Sequence, residues 1–452
     1  MLKKNDIIQL KIDSCSLNGN GVGRHEGMAV FVPASAAGDV LLAHILKVKG
    51  NCAFGKIKEI ITPSPHRIGN DCPSYPRCGG CVFRHISYEE ELRVKADQVR
   101  ENLRRIGHID VEPEPIVGSD SVDHYRNKAQ YPLCMERGEL AIGFFAPRSH
   151  RVVDGRRCLL QPCGFEAILD AFERWIRAYS ISVYDEKTCA GLLRHIYIRT
   201  AKATGETAVC AVINGAKLPF KEQLVAALLE ASPQITSITF NINTEDTNVI
   251  LGNKCKTIWG ADHITDVLCG LRVKISPLSF YQVNPAQAER LYEKAAGYAG
   301  LTGAEKVLDL YCGAGTIGLS MAARAKTVIG AEIVPGAVAD AEENARENGI
   351  ANARFICADA AEAAFKLKKE SVRPDVIIVD PPRKGCSPET LKAIGEMSPG
   401  RIVYVSCDSA TLARDCVMLR EYGYEFRKAA AFDLFPRTGH VETVALLQRR
   451  DM

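Results

Sequence analysis

VLDLYCGAGTIGLSMA, residues 307–322, carries an apolar strand with Asp309 near its end into a glycine turn that opens a helix. Gly313 and Gly315 let the backbone approach a ligand closely, at the carboxyl edge where open α/β sheets bind ligands. The spacing G-A-G-T-I-G, Gly313 to Gly318, also satisfies the dinucleotide fingerprint G-x-G-x-x-G, so NAD competes for this turn. Downstream, KVLDLY, TVIGAEI, ARFICAD, DVIIVD and RIVYVS are each followed by a helical segment, and two closing strands lie near FRKAAAFDLF and ETVALLQR. Over residues 271–452 this rhythm predicts a Rossmann-like α/β domain, a doubly wound sheet ending in a C-terminal hairpin.

Upstream, residues 1–62 alternate strand-like runs (IIQLKI, MAVFVP, VLLAHILKV, AFGKIKEII) with glycine turns such as NGNGVG and stop at PSPH, which predicts a small OB-like β-barrel. Its eight Lys/Arg against five Asp/Glu suit an accessory nucleic-acid module. Residues 63–270 read as a mixed α+β central domain. Within it, residues 124–157 carry seven Lys/Arg against three Asp/Glu, interleaved with Tyr125, Tyr131, Phe144 and Phe145. That pattern suits single-stranded RNA, whose phosphates meet cations while its bases stack, or else a solvated face over a core. The whole chain, 452 residues with 46% hydrophobic and 25% charged, has ordinary globular composition, and a net charge of +3 does not choose between partners. No stretch reaches the ~18 apolar residues of a membrane span, so a cytoplasmic monomer with no membrane association is expected. In a reducing compartment 17 cysteines are small hydrophobes, metal ligands or catalytic thiols rather than disulfides.

The sheet edge collects polar residues. Glu332 ends the second strand of the Rossmann-like rhythm, where a carboxylate can accept both ribose hydroxyls of a nucleoside, and Asp359 follows the third, placed for an adenine edge. DLYCGAGTIGL resembles motif I of class I S-adenosylmethionine-dependent methyltransferases more closely than any dehydrogenase. IIVDPPRKG, with Asp380-Pro381-Pro382, is similar to the D-P-P-R-x-G segment of the RNA (uracil-5)-methyltransferase family. Cys407, in IVYVSCDSATLARD, ends the next strand on the same edge. Asp408 or Ser409 can cap the helix that follows, whose N-terminal amides would lower the thiol's pKa. A thiolate is what uracil needs, because C5 is a weak nucleophile until a thiolate adds to C6. Glu442, at the start of the last strand in FPRTGHVETVALL, is the candidate base for the C5 proton.

SCDSATLARD and HVETV match the nucleophile and C-terminal motifs of that family, and FYQVNP (280–285) looks like its cofactor-loop motif. The resemblance runs through most of the chain. It implies that Gln282, Tyr311, Glu332 and Asp380 contact S-adenosylmethionine, and that the N-terminal barrel is a TRAM domain.

DCPSYPRCGGC places Cys72, Cys78 and Cys81 in a C-x5-C-x2-C run, and RRCLLQPC offers Cys158 or Cys163 as a fourth ligand. By chemistry alone, zinc and an iron-sulfur cluster are both open. The resemblance implies a [4Fe-4S] cluster with Cys158 as the fourth ligand, in a structural or RNA-holding role. A radical methylase would show C-x3-C-x2-C, which this run lacks. The barrel and cluster point to the ribosomal RNA branch, with 23S RNA as the expected partner and transfer RNA methylation as the alternative. An iron-sulfur NAD-dependent oxidoreductase would leave Cys407 and Glu442 without roles. Intact candidates for nucleophile and base speak against a non-enzymatic RNA assembly factor.

Overall fold

The computed structural model describes residues 2–450. Five antiparallel and parallel strands, Ile7–Cys15, Asn20–His25, Met28–Pro33, Val40–Lys49 and Cys52–Thr62, close into a barrel around Leu10, Val30, Val32, Leu41 and Ala43. The strand Asn20–His25 comes from the segment that reads as a glycine turn. Its glycines serve close packing: a Cβ at Gly21 would lie 2.1 Å from Ser35 Oγ, and one at Gly23 would lie 2.2 Å from the Lys11 carbonyl oxygen.

The central region is built on a seven-stranded sheet. Helices Phe165–Ala178 and Lys221–Ala231 contribute to the apolar cluster that covers one of its faces. Residues 63–270 do not form one packing unit. The helix Tyr88–Arg105 buries Val99 and Leu103 in the core of the C-terminal sheet, and strand Glu114–Val117 joins that sheet at its edge, parallel to Tyr424–Phe432. Their apolar positions give no hint of which distant sheet they face. Tyr125 and Tyr131 in the basic, aromatic stretch are buried, the former donating its hydroxyl to the Pro436 carbonyl, so neither is free to stack on a base.

The C-terminal sheet has the spatial order Ala353–Cys357, Thr327–Glu332, Lys306–Leu310, Val376–Val379, Arg401–Ser406, Glu442–Arg449, Tyr424–Phe432, Glu114–Val117. The strands from Ala353–Cys357 through Arg401–Ser406 are parallel, and Glu442–Arg449 is antiparallel to both of its neighbours. Strand Val376–Val379 is four consecutive buried residues, the signature of a strand covered on both faces. Side chains alternate: Leu308, Leu310, Ile377 and Val379 enter one core, and Val307, Val376 and Ile378 the other. Strand order reverses between Lys306–Leu310 and Val376–Val379, which opens a crevice at their carboxyl ends. Tyr311 and Asp380 sit at that opening, with the Asp380 N–H reaching the Leu310 carbonyl at 3.4 Å.

Candidate active site and cysteine cavity

The crevice is a cavity of about 1450 Å³, larger than one drug-sized ligand requires. It gathers Gln282, Tyr311, Gly313, Glu332, Asp359, Asp380, Cys407 and Glu442, residues spread over 161 positions of chain. Gly313 has φ 54°, and a Cβ there would meet nothing within 4 Å, so the space above it is open to a ligand. Gly315 does not line the cavity. At φ 79° it turns the chain into helix Thr316–Met321, and a Cβ would press on the Phe355 ring at 3.0 Å and Ala341 at 3.1 Å, so it is required by packing under the turn.

Tyr311 adopts φ 65°, a left-handed conformation that costs a non-glycine residue ~1–3 kcal/mol. Its hydroxyl lies 3.3 Å from Thr390 Oγ1, which fixes the ring against helix Pro388–Met397. Glu332 accepts the Gly313 N–H at 3.2 Å and the Val334 N–H at 2.9 Å, one on each carboxylate oxygen, and each oxygen keeps a lone pair for a ligand. Asp359 caps helix Ala360–Lys369 through the Glu362 N–H at 2.8 Å while facing the cavity. The loop carrying Gln282 is held from the central sheet: Asn127 Nδ2 donates to the Gln282 carbonyl at 2.9 Å and Arg199 Nη1 to the Ser279 carbonyl at 2.9 Å.

Cys407 lies half-buried in the bend between strand Arg401–Ser406 and helix Ser409–Glu421. Asp408 is the cap, accepting the Ala410 N–H at 2.8 Å and the Thr411 N–H at 3.4 Å. The amides expected to lower the thiol's pKa are therefore already engaged. Burial pushes the Cys407 thiol up to about 11, with Glu442 and Asp380 adding to the rise and Arg383 opposing it. Burial likewise raises Asp380 to about 7, and burial with the Asp380 charge raises Glu442 to about 8, again against Arg383. A desolvated pocket that crowds two carboxyls and a thiol favours a cationic ligand, which would draw protons off all three.

Among the lining residues the sequence reading did not single out, four stand out. Arg383 stands directly after Asp380-Pro381-Pro382 and Phe435 in the segment before Glu442, so both were within reach of the motifs. Phe280, 70% exposed, opens FYQVNP. Asp340, which accepts the Ser279 hydroxyl at 2.9 Å, is one acid among several on helix Pro335–Glu347 and carries no sequence signal.

A second cavity, about 310 Å³, is lined by Cys72, Cys78, Cys81 and Cys158 together with Tyr75, Phe144, Leu159 and Leu160. Arg84, Arg126, Lys128 and Arg157 bring cations to the same wall. Burial raises the Cys78 and Cys158 thiols and pushes Cys81 up to about 12, and neighbouring thiols of the set add to each rise. Cys163 lies outside the cavity, exposed, its Sγ 3.7 Å from His124 Nδ1. Among the described residues no group of three or more His, Cys, Asp or Glu meets the spacing of a site for a single metal ion.

An open α/β sheet with a large crevice at its switch point, an acidic residue ending the second strand and a cysteine on the same edge has the architecture of a class I methyltransferase, and the comparisons with known proteins agree. A family model described as tRNA (Uracil-5-)-methyltransferase matches residues 253–450, and a TRAM domain model matches residues 2–58. The chain is 43% identical, over 99% of its length and 97% of the relative's, to an uncharacterized RNA methyltransferase of Clostridium tetani. It is 44% identical to one of Caldanaerobacter subterraneus, covering 98% of each chain. The crystal structure of Pyrococcus abyssi tRNA (uracil-54, C5)-methyltransferase, in complex with S-adenosyl-L-homocysteine, matches with TM-score 0.78 and 29% identity over 97% of this chain and 100% of that one. The chain belongs to the RNA (uracil-5)-methyltransferase family, S-adenosylmethionine-dependent enzymes, and carries a TRAM barrel at its N-terminal end.

Proposed function

We propose that this enzyme methylates C5 of a uridine in ribosomal RNA through a covalent adduct between Cys407 and the base. The observation that carries the reading is the meeting of Cys407, Asp380 and Glu442 in one buried cavity, where the two carboxyls add to the rise that burial imposes on the thiol. S-adenosylmethionine supplies the methyl group as an electrophilic sulfonium, held by Glu332 at the ribose, Asp359 at the adenine, and Gln282, Tyr311 and the open space over Gly313. The Cys407 thiolate forms a bond to C6 of uracil, and the C5=C6 electron pair moves onto C5 and O4, which makes C5 nucleophilic. After C5 is methylated, the Glu442 carboxylate takes the C5 proton, C5=C6 re-forms and the sulfur–C6 bond breaks, returning the thiolate. In the free protein, burial holds both the Cys407 thiol and the Glu442 carboxyl toward their protonated forms. Binding of a sulfonium next to them supplies the positive charge that favours their ionised forms.

The second cavity fits a [4Fe-4S] cluster: four cysteines on an apolar wall with cations nearby suit an anionic thiolate centre, which buried free thiols would not form alone. Cys72, Cys78, Cys81 and Cys158 would hold it. The methyl transfer transfers no electron, so its role there is to order the loop of residues 72–81.

A second reading, transfer RNA as substrate, is favoured by the Pyrococcus abyssi enzyme, a transfer RNA methyltransferase that matches nearly the whole chain. The two are separated by giving the protein isotopically labelled S-adenosylmethionine with unmodified 23S ribosomal RNA and with transfer RNA transcripts. Labelled 5-methyluridine in ribosomal RNA supports the proposal, label in transfer RNA alone supports the second reading, and a methylated product other than 5-methyluridine overturns both.

A further inference from the structure

Residues 433–441 join the last two strands without regular secondary structure, yet Asp433, Leu434, Arg437, Thr438 and Val441 are buried. A buried loop needs partners for its polar groups, since each orphan costs about as much as a lost hydrogen bond. Asn284 and Gln287 donate to the Leu434 and Asp433 carbonyls at 3.1 Å each, and the charged partners come from more than 300 residues away, on helix Tyr88–Arg105. Lys95, fully buried, donates to Glu91 Oε1 at 2.7 Å, to Asp433 Oδ1 at 2.8 Å and to the Phe435 carbonyl at 3.2 Å. Glu91 Oε1 also accepts the Arg437 N–H at 2.7 Å, and Tyr88 donates its hydroxyl to Asp433 Oδ2 at 2.9 Å.

The charges balance. Glu91 and Asp433 face the Lys95 ammonium and the Arg437 guanidinium, the latter 3.5 Å from Glu91 Oε2, which is the pairing a buried ion cluster requires. Arg437 is held at φ 69°, a conformation non-glycine residues avoid and one that persists only where surroundings over-determine it. The loop carries Phe435 and leads into Glu442, and both line the catalytic cavity. With no helix or strand of its own to set it, the loop takes its shape from its neighbours, and helix Tyr88–Arg105 supplies the charged partners among them.

We propose that Lys95 and Glu91 are positioning residues that hold Phe435 and Glu442 at the reacting base. The proposal rests on the reading of Glu442 as the group that takes the C5 proton. Lys95→Met leaves Glu91 and Asp433 without their shared cation, so full-length Tyr88→Phe, which removes one donor to Asp433 and no charge, is measured beside it. In the variants that fold, the dissociation constant and KM for S-adenosylmethionine should stay within about twofold of wild type, while kcat falls ~10-fold or more from misplacement of the base. Covalent protein-RNA adduct should accumulate on ordinary RNA, because addition and methylation proceed and proton removal lags. A wild-type kcat in Tyr88→Phe, or a fall in kcat without accumulated adduct, overturns the positioning role when the wild type does form an adduct with 5-fluorouridine RNA. If the wild type forms none, the reading of Glu442 falls and the proposal with it.

Discussion

Cys407 is a thiol held well above its ordinary pKa, at about 11, whereas the chemistry proposed for it needs a thiolate. The strand-to-helix bend was legible in SCDSATLARD; the direction of the shift was not, because it comes first from burial and then from Glu442 and Asp380, brought alongside only by the fold. The same crowding has a consequence for stability. Asp380 and Glu442 sit at about 7 and 8 against ~4 for free carboxyls, so the folded apoprotein holds protons that the unfolded chain has released. Their favourable contribution is complete below pH ~4 and is lost as pH rises through 7 and 8. The thermal midpoint of the free protein should therefore fall between pH 6 and pH 8.5. Glu442→Gln should be more stable than wild type by ~1–3 kcal/mol at pH 8.5 and indistinguishable at pH 4, read by calorimetry across the range. A wild-type midpoint that rises with pH would contradict the assignment. Glu332→Ala should weaken S-adenosylmethionine binding by about 2–3 kcal/mol, with little effect on RNA affinity, since its carboxylate both meets the ligand and ties down Gly313.

At the scale of elements, the parallel strands and the closing hairpin followed from runs such as DVIIVD and RIVYVS, whose length and apolar content leave little choice once a sheet is assumed. What escaped was partnership across long separations: the helix Tyr88–Arg105 is an ordinary amphipathic segment and the strand Glu114–Val117 only four residues, while Tyr424–Phe432, which that strand pairs with, lies three hundred residues on. The cysteine loop shows the opposite case. Its three clustered thiols were plain in DCPSYPRCGGC, and the choice of a fourth, which spacing left open between Cys158 and Cys163, is favoured toward Cys158 by the shared cavity. Protein purified without oxygen should carry about four irons per chain with a broad visible absorbance. Cys78→Ser and Cys158→Ser should each lose it while Cys163→Ser keeps it. Iron retained in Cys158→Ser and lost in Cys163→Ser would reverse the ligand assignment.

For the whole molecule, the barrel is docked onto the loop that leads to Glu442. A Cβ at Gly439 would lie 1.8 Å from the Leu17 carbonyl oxygen of the barrel, and one at Gly19 would meet Val82 at 2.6 Å. Val82 and Phe83 in turn donate their N–H groups to the Arg437 carbonyl at 2.8 and 3.2 Å, so barrel, cysteine loop and catalytic loop share one contact region. Gly439→Ala must push the barrel or the loop aside. It should cost ~1–3 kcal/mol of stability and lower kcat, whereas Gly69→Ala, where a Cβ would meet nothing within 4 Å, should do neither. Equal, wild-type-like melting and turnover for both would mean the docking is dispensable.

The central claim is that Cys407 bonds to the uracil and Glu442 releases it. The direct test is denaturing electrophoresis with mass spectrometry after incubating S-adenosylmethionine and a 5-fluorouridine form of a methylated RNA with wild type, Cys407→Ala and Glu442→Gln, the last also on unmodified RNA. The account predicts a stable adduct mapped to Cys407 in the wild type, none in Cys407→Ala, and a methylated adduct with Glu442→Gln even on unmodified RNA. An adduct formed by Cys407→Ala, or none by a wild-type enzyme that methylates the unmodified RNA, would contradict it.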